Sequence, residues 1–238
     1  MLNVVTWLWR DRGYRSTFTP AHVHTLYTMV ARHYPHPFQP VCVTDDPTGL
    51  DPAIRTVPLW PDHRGLLSPH GGGNPGCYER LRAFAPEVRE ALGPRFVSID
   101  LDAVIVGDLA PLWQRPDPFV IWHLPMATAR RQSLFNGSMW LLETGAAPEV
   151  WTRFGGEASA LEAYRAGCDG NDQGWMQYVL GTAPGWTHRD GVYSFKFEIL
   201  KRHGGQLPAN ARVVFFHGKP DPWDADAQRL AWVREAYQ

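Results

Sequence analysis

The sequence predicts an α/β fold, a central sheet covered by helices on both faces, within one domain spanning residues 1–238. Three observations predict it. Short apolar runs alternate along the chain with stretches of helical periodicity, the pattern of strands and helices that cover one another in layers. With 44% hydrophobic residues, the chain carries enough apolar material for one buried core. It shows no internal repeat, no low-complexity tail and no apolar run long enough to span a bilayer, so any membrane contact is expected to be peripheral.

The elements follow in order. Residues 3–9 (NVVTWLW) read as a buried first strand, because they lack a leading positive charge and are interrupted at Arg10, Asp11 and Arg12, unlike a signal peptide. Thr19-Pro20, followed by Val23, Leu26, Tyr27 and Val30, predicts a capped amphipathic helix. Residues 40–44 and 54–59 read as the next two strands, the first ending at Asp45-Asp46. Pro, Gly and His dominate 60–76, a long irregular segment of the kind used for lids and binding loops. Helical periodicity returns over 78–92, and Arg95 to Ile99 is a strand running into Asp100-Leu101-Asp102, with an extended piece at 104–108. Further strands are expected at 119–123, 138–142 and 213–216, and helices at 147–167, 171–180 and 226–237.

Composition narrows the function. The 23 basic and 24 acidic residues leave a net charge of −1, which gives no overall footprint of a nucleic-acid or membrane-surface binder. Arg10, Arg12, Arg15, Arg130 and Arg131 still offer a local backbone-binding patch. Cys42, Cys77 and Cys168 contain no C-x-x-C pair and fit neither a disulfide framework nor a zinc knuckle, so reduced thiols and a cytoplasmic location are expected. The 11 Trp read chiefly as packing, with stacking platforms for sugars or bases as the sharper alternative.

A D-x-D pattern occurs twice, at Asp100/Asp102 and at Asp224/Asp226. The first directly follows an apolar strand, where open α/β sheets bind ligands. The second opens a surface helix, where acidic residues suit the helix dipole. Strand alternation is expected to point Asp100 and Asp102 the same way with Leu101 in the core, and two aligned carboxylates repel unless a cation sits between them. His217 also follows an apolar strand and completes a metal set of Asp100, Asp102 and His217, while Lys219 adds a charge suited to a diphosphate. Oxygen ligands favour Mg²⁺ or Mn²⁺, and the imidazole tilts the choice towards Mn²⁺.

Ser98-Ile99-Asp100-Leu101-Asp102 with Gly107-Asp108-Leu109, Phe135-Asn136-Gly137-Ser138-Met139, Asn171-Asp172-Gln173 and Phe216-His217-Gly218-Lys219-Pro220 stand in the order found in glycogenin-like, retaining GT-A glycosyltransferases. The chain resembles the small bacterial and phage members of that group, over about residues 95–223 and more weakly from residue 3, at Thr44-Asp45-Asp46 and at Tyr78-Glu79-Arg80-Leu81. The resemblance implies a GT-A type, Rossmann-like mixed central sheet flanked by helices, with a donor-binding half at about 1–110 and an acceptor-side half at about 111–238. It implies metal ligation by Asp100, Asp102 and His217, and donor contacts from Arg80, Asp100, Asn136, Lys196, Gly218 and Lys219. Asp172 and Gln173 fall beside the transferred sugar, Asp172 holding hydroxyls and Gln173 stabilising charge near the anomeric carbon. The implied donor is a nucleotide-diphosphate sugar such as a UDP-sugar, and the implied acceptor a bacterial surface glycan or a hydroxymethylated pyrimidine in DNA. His217, Gly218 and Lys219 stand closer together than the family's closing motif often has them, and the 60–76 segment has no counterpart in it.

Two other functions fit parts of the pattern. A metal-dependent nucleotidyltransferase also uses paired carboxylates, but it needs a Gly-rich phosphate loop early in the chain, and 10–17 has one Gly. A non-catalytic carbohydrate-binding protein would use the Trp faces and need no metal.

Overall fold

The computed structural model describes residues 1–9, 17–71, 73–124 and 134–238. Arg10, Arg12, Arg15, Arg130 and Arg131, the candidates for a local basic patch, lie outside the described residues. The strands are β1 (Leu2–Leu8), β2 (Phe38–Thr44), β3 (Arg55–Pro58), β4 (Arg95–Ile99), β5 (Ala103–Ile105), β6 (Phe119–His123), β7 (Phe135–Glu143), β8 (Gly185–Trp186), β9 (Val192–Ser194) and β10 (Val213–Phe215). Seven of them form a sheet in the order β3-β2-β1-β4-β7-β6-β8, and three form a second sheet in the order β5-β10-β9. In the larger sheet β1 lies parallel to β2 and β4, and β7 runs antiparallel to both β4 and β6.

Alternation explains why β1 is buried on both faces. Val4 and Leu8 enter the hydrophobic layer that holds Val23, Leu26 and Phe215, whereas Val5 and Trp7 enter the opposite layer with Leu81, Phe84 and Trp140. The Pro20–His33 helix docks on the first layer, and the Tyr27 hydroxyl accepts from the Val41 N–H (3.0 Å), tying helix to sheet. Pro20 starts this helix as expected, with the Thr19 N–H donating to His22 Nδ1 (2.9 Å). Trp113, Trp122, Trp140, Trp175 and Trp186 are fully buried and serve packing.

Three expected helices are interrupted, each for a local reason. The 78–92 stretch begins as 3₁₀ turns at Tyr78–Phe84 and becomes α-helical only at Arg89–Leu92, because Pro86 has no N–H to continue a helix. Gly155-Gly156 divides 147–167 into Glu149–Thr152 and Glu157–Arg165, with Gly156 at φ +81. The closing helix divides into Ala225–Gln228 and Ala231–Ala236 around an extended Leu230. No helix among the described residues is long and apolar enough to cross a membrane.

The Asp172–Leu180 helix has a tightly fixed start. Asn171 caps it by accepting from the Gly174 N–H (3.0 Å), and Asp172 sits in its first turn. Gly174 packs so closely on the preceding turn that a Cβ there would stand 1.8 Å from the Asp169 carbonyl oxygen. Gly174→Ala is therefore expected to force the helix start away from that turn and to lower the unfolding free energy by about 1–3 kcal/mol or more. Urea titration measures it, and an unchanged midpoint would contradict the packing described.

Candidate active site

The first D-x-D does not continue a strand. β4 ends at Ile99 and β5 begins at Ala103, so Asp100-Leu101-Asp102 is the turn by which the chain leaves one sheet and enters the other. Leu101 is buried as expected, and both aspartates line one cavity of ≈ 560 Å³. The Asp100 N–H donates to Ser138 O on β7 (2.9 Å), and Asp102 O accepts from the Phe216 N–H at the end of β10 (3.1 Å). That second bond places His217, the next residue, beside Asp102 at the cavity wall.

Arg80 occupies the centre of the site and is 6% exposed. Its Nε and Nη2 each lie 2.7 Å from Asp172 Oδ2, and its Nη1 donates to Asp100 Oδ1 (2.7 Å) and to Gly137 O (3.2 Å). Burial opposes the guanidinium charge, but Asp172 and Asp100 outweigh it and push the Arg80 pKa well above its usual value. The basic residue expected near the donor is thus already bound to two carboxylates.

A register shift in the β6–β7 ladder, between Ile121 and Trp122, releases residues 137–139 from β6. Gly137 then faces the site with both backbone groups used, its carbonyl accepting from Arg80 and its N–H donating to Gln173 Oε1 (2.7 Å). A Cβ at Gly137 would come 2.6 Å from Arg80 Nη2, so only glycine permits this approach. Gln173 Nε2 donates to Asp169 Oδ2 (3.1 Å), which fixes the amide from the other side. Asn136, also at the cavity, has its Oδ1 accepting from the Ser138 N–H (2.9 Å).

Arg80, Asp100, Asp102, Asn136, Asp172, Gln173 and His217 therefore line one cavity, whereas Lys196, Gly218 and Lys219 stand outside its lining. His217 Nε2 lies 2.7 Å from Ser194 Oγ, which also accepts from the Phe197 N–H (3.1 Å). Lys219 forms ion pairs with Asp221 (2.7 Å) and Asp224 (3.1 Å). Asp224 also accepts from the Asp221 N–H (2.8 Å), so the second D-x-D takes part in a turn at the start of a short helix.

Several lining residues escaped the sequence reading. The 60–76 segment is folded back on itself, with the Ser68 N–H donating to Asn74 O (2.8 Å) and the Gly76 N–H to Leu66 O (3.2 Å). It supplies Ser68, His70 and Asn74 to the cavity. His70 Nε2 accepts from the Gly170 N–H (3.3 Å), and a Cβ at Gly170 would meet Ser68 Oγ at 2.8 Å, so this wall is seated tightly on the turn before Asp172. A smaller cavity of ≈ 130 Å³ adjoins the first and shares Cys77, Arg80, Asp100 and Asp102 with it; Trp7, Trp9 and Phe18 make its aromatic side. Clustered polar residues in a Gly/Pro-rich loop were the available signal for the first, and aromatics at the carboxyl end of a first strand for the second.

Asp100, Asp102 and His217 match Mn²⁺ or Mg²⁺ in kind, two carboxylates and an imidazole facing one cavity. Among the described residues, no group of three or more His, Cys, Asp or Glu stands close enough to hold a metal ion.

No protein-family model matches the chain, and no curated protein matches its sequence. Solved structures do match its fold. The galactosyltransferase LgtC, in complex with donor and acceptor sugar analogs, superposes with a TM-score of 0.62 at 15% identity over 100% of this chain and 97% of that one. A Gln-to-Glu active-site mutant of LgtC gives 0.65 at 14% identity, covering 98% and 95% of the two chains. The glycosyltransferase GlyE of Streptococcus pneumoniae TIGR4 gives 0.61 at 11% identity over all of this chain and 60% of its own. The architecture is that of GT-A glycosyltransferases, a mixed α/β fold with a largely parallel central sheet flanked by helices.

Removing Arg80 isolates a buried charge. Arg80→Met is expected to cost about 3–5 kcal/mol by leaving Asp172 uncompensated. The double variant Arg80→Met with Asp172→Asn is expected to recover part of that loss in a double-mutant cycle, because no buried carboxylate then remains without its cation. Strictly additive losses would show that the pair is not coupled.

Proposed function

We propose that the chain is a metal-dependent glycosyltransferase that moves a sugar from a UDP-sugar to an acceptor hydroxyl with retention. The observation that carries this is the convergence, in one cavity of a GT-A fold, of Asp100, Asp102 and His217 with Asp172 and Gln173. LgtC, which shares the fold, binds donor and acceptor sugar analogs and has a glutamine in its active site, the residue type that Gln173 supplies here.

The two adjoining cavities suit the parts of such a donor. The aromatic side formed by Trp7, Trp9 and Phe18 takes the base, and Asp100 and Asp102, shared by both cavities, lie along the diphosphate path. Asn136, Asp172 and Gln173 then surround the sugar. A divalent cation arriving with the donor would be held by Asp100, Asp102 and His217 and would supply positive charge for the leaving diphosphate. The glycosidic C–O bond breaks with its electron pair on the diphosphate oxygen. The acceptor oxygen bonds the anomeric carbon from the same face, and its proton passes to the departing oxygen. Asp172 is bound to Arg80 and Gln173 to Gly137, so both present fixed polar edges and neither is an activated nucleophile.

Ser68, His70 and Asn74, which also line the cavity, offer hydrogen-bonding groups that suit a sugar hydroxyl of a glycan acceptor. Transfer to hydroxymethylated DNA is the competing outcome of an acceptor screen.

Asp102→Asn and His217→Ala are each expected to abolish Mn²⁺-dependent release of nucleoside diphosphate from the donor while the far-UV circular dichroism is retained. Asp226→Asn is the silent control, since Asp226 is exposed and pairs with the exposed Arg229 one helical turn on. Full activity in Asp102→Asn would remove the metal assignment. Retention has its own measurement: an α-linked donor is expected to give an α-linked product by NMR. A β-linked product would withdraw the roles of Asp172 and Gln173 even with the metal site intact.

A further inference from the structure

We propose that the groove between the 65–69 loop and the Glu157–Arg165 helix holds an aliphatic chain of the acceptor, which makes the acceptor an amphiphilic glycoside; this rests on the glycosyltransferase function proposed above. Position, lining and a held backbone carry it.

The groove has a volume of ≈ 470 Å³ and adjoins the main cavity at Ser68, which lines both. His70, two residues on, also belongs to the cavity, and its ring meets Tyr164 on the helix that forms the groove's other side (centroids 4.8 Å apart, 73° between planes). One loop therefore contributes to both spaces. A sugar held at Ser68 would carry its substituent towards the groove.

Leu66, Leu67 and Pro69 line the groove from the loop, and Ala160 and Leu161 line it from the helix. No aromatic ring stands among the described lining residues, so the groove lacks the flat platform on which a further sugar would stack. Among those residues Glu157, an exposed carboxylate, is the one charged group. A nucleic-acid backbone needs Lys or Arg against its phosphates, and a lone carboxylate repels it. Removal of aliphatic surface from water is then the term that favours a ligand here.

Leu67 is 53% exposed although the backbone on both sides of it is held. The Gly65 N–H donates to Oε1 of the buried Glu79 (3.1 Å), Leu66 O accepts from the Gly76 N–H (3.2 Å), and the Ser68 N–H donates to Asn74 O (2.8 Å). Leu67 itself faces Pro75 in an isolated antiparallel bridge. A lone exposed leucine is ordinary, but one held beside an aliphatic groove that adjoins a polar cavity fits a ligand that is polar at one end and apolar at the other. Because the backbone is already tied down, binding would order little of the protein.

The experiment is calorimetric titration of methyl, butyl, hexyl and octyl β-glucosides and β-galactosides, below their micelle concentrations, into protein already holding UDP and Mn²⁺. In the wild type the dissociation constant is expected to fall about twofold to fourfold per added methylene. Leu67→Ser and Leu161→Ser are expected to flatten that series. Leu200→Ser, at an exposed leucine elsewhere on the surface, is the control and is expected to keep the wild-type slope. If the half-buried Leu161→Ser does not fold, Leu67→Ser decides alone, since Leu67 is largely exposed. Affinity independent of chain length would overturn the assignment, as would a full slope in Leu67→Ser, a slope lost equally in Leu200→Ser, or an oligonucleotide containing hydroxymethylcytosine that binds more tightly than the octyl glycosides. UDP binding with Mn²⁺ is measured first, without glycoside. A wild type that binds no UDP would remove the glycosyltransferase function itself, an outcome distinct from one that binds UDP and ignores chain length.

Discussion

The buried guanidinium of Arg80 is the constraint around which the cavity is arranged. It joins four parts of the chain that are remote in sequence: the 3₁₀ turns at Tyr78–Phe84, the end of β4 through Asp100, the released bulge of β7 through Gly137, and the Asp172–Leu180 helix through Asp172. A charge in this position is costly to desolvate and is tolerated only when its donors are satisfied. That requirement explains the glycine at 137, where any side chain would collide with the guanidinium. It also explains why the Asp172–Leu180 helix is pinned at its first turn, by Asn171 as cap and by Gly174 against Asp169.

The same constraint relates the two sheets. Asp100 is fixed by Arg80 and, from the larger sheet, by the Ser138 carbonyl, while Asp102 is fixed from the smaller sheet through the Phe216 N–H. Leu101 between them is buried in the core and prevents the turn from sliding. The site therefore straddles a junction, and its geometry depends on how the three-stranded sheet packs against the seven-stranded one. The shared hydrophobic layer, with Val4 and Val97 from the large sheet and Val104, Val214 and Phe215 from the small, sets that relation.

The strands were legible because their burial leaves continuous apolar runs, as in Val4 to Leu8 or Val213 to Phe215. The two-residue β8 and three-residue β9 leave no such run, and the helix breaks at Pro86 and Gly155-Gly156 depended on backbone chemistry that an apolar period does not record. At the site, seven of the residues singled out by sequence order line one cavity of the folded chain, but sequence order does not show that Arg80 pairs with a carboxylate 92 positions away. Lys219 is the instructive case. Its position after His217-Gly218 suggests a ligand contact, and in the folded chain it also pairs with Asp221 and Asp224, which follow within five residues.

Charge distribution bears on how such a site would fill. Asp100 gives one carboxylate oxygen to Arg80 and keeps its side chain 30% exposed, so it faces the cavity as a carboxylate already partly neutralised. His217 is likewise engaged with Ser194. A cation entering alone would meet ligands that are weakened and spread across two sheets, and its hydration would be replaced only in part. A donor diphosphate brings oxygen ligands and negative charge to the same place, which completes the coordination and favours the cation in turn. On the proposed function, cation and donor would therefore bind as a thermodynamically linked pair, each raising the affinity of the other by the same factor. The Arg80 network would favour that coupling, because it draws off part of the Asp100 charge that would otherwise attract the metal alone.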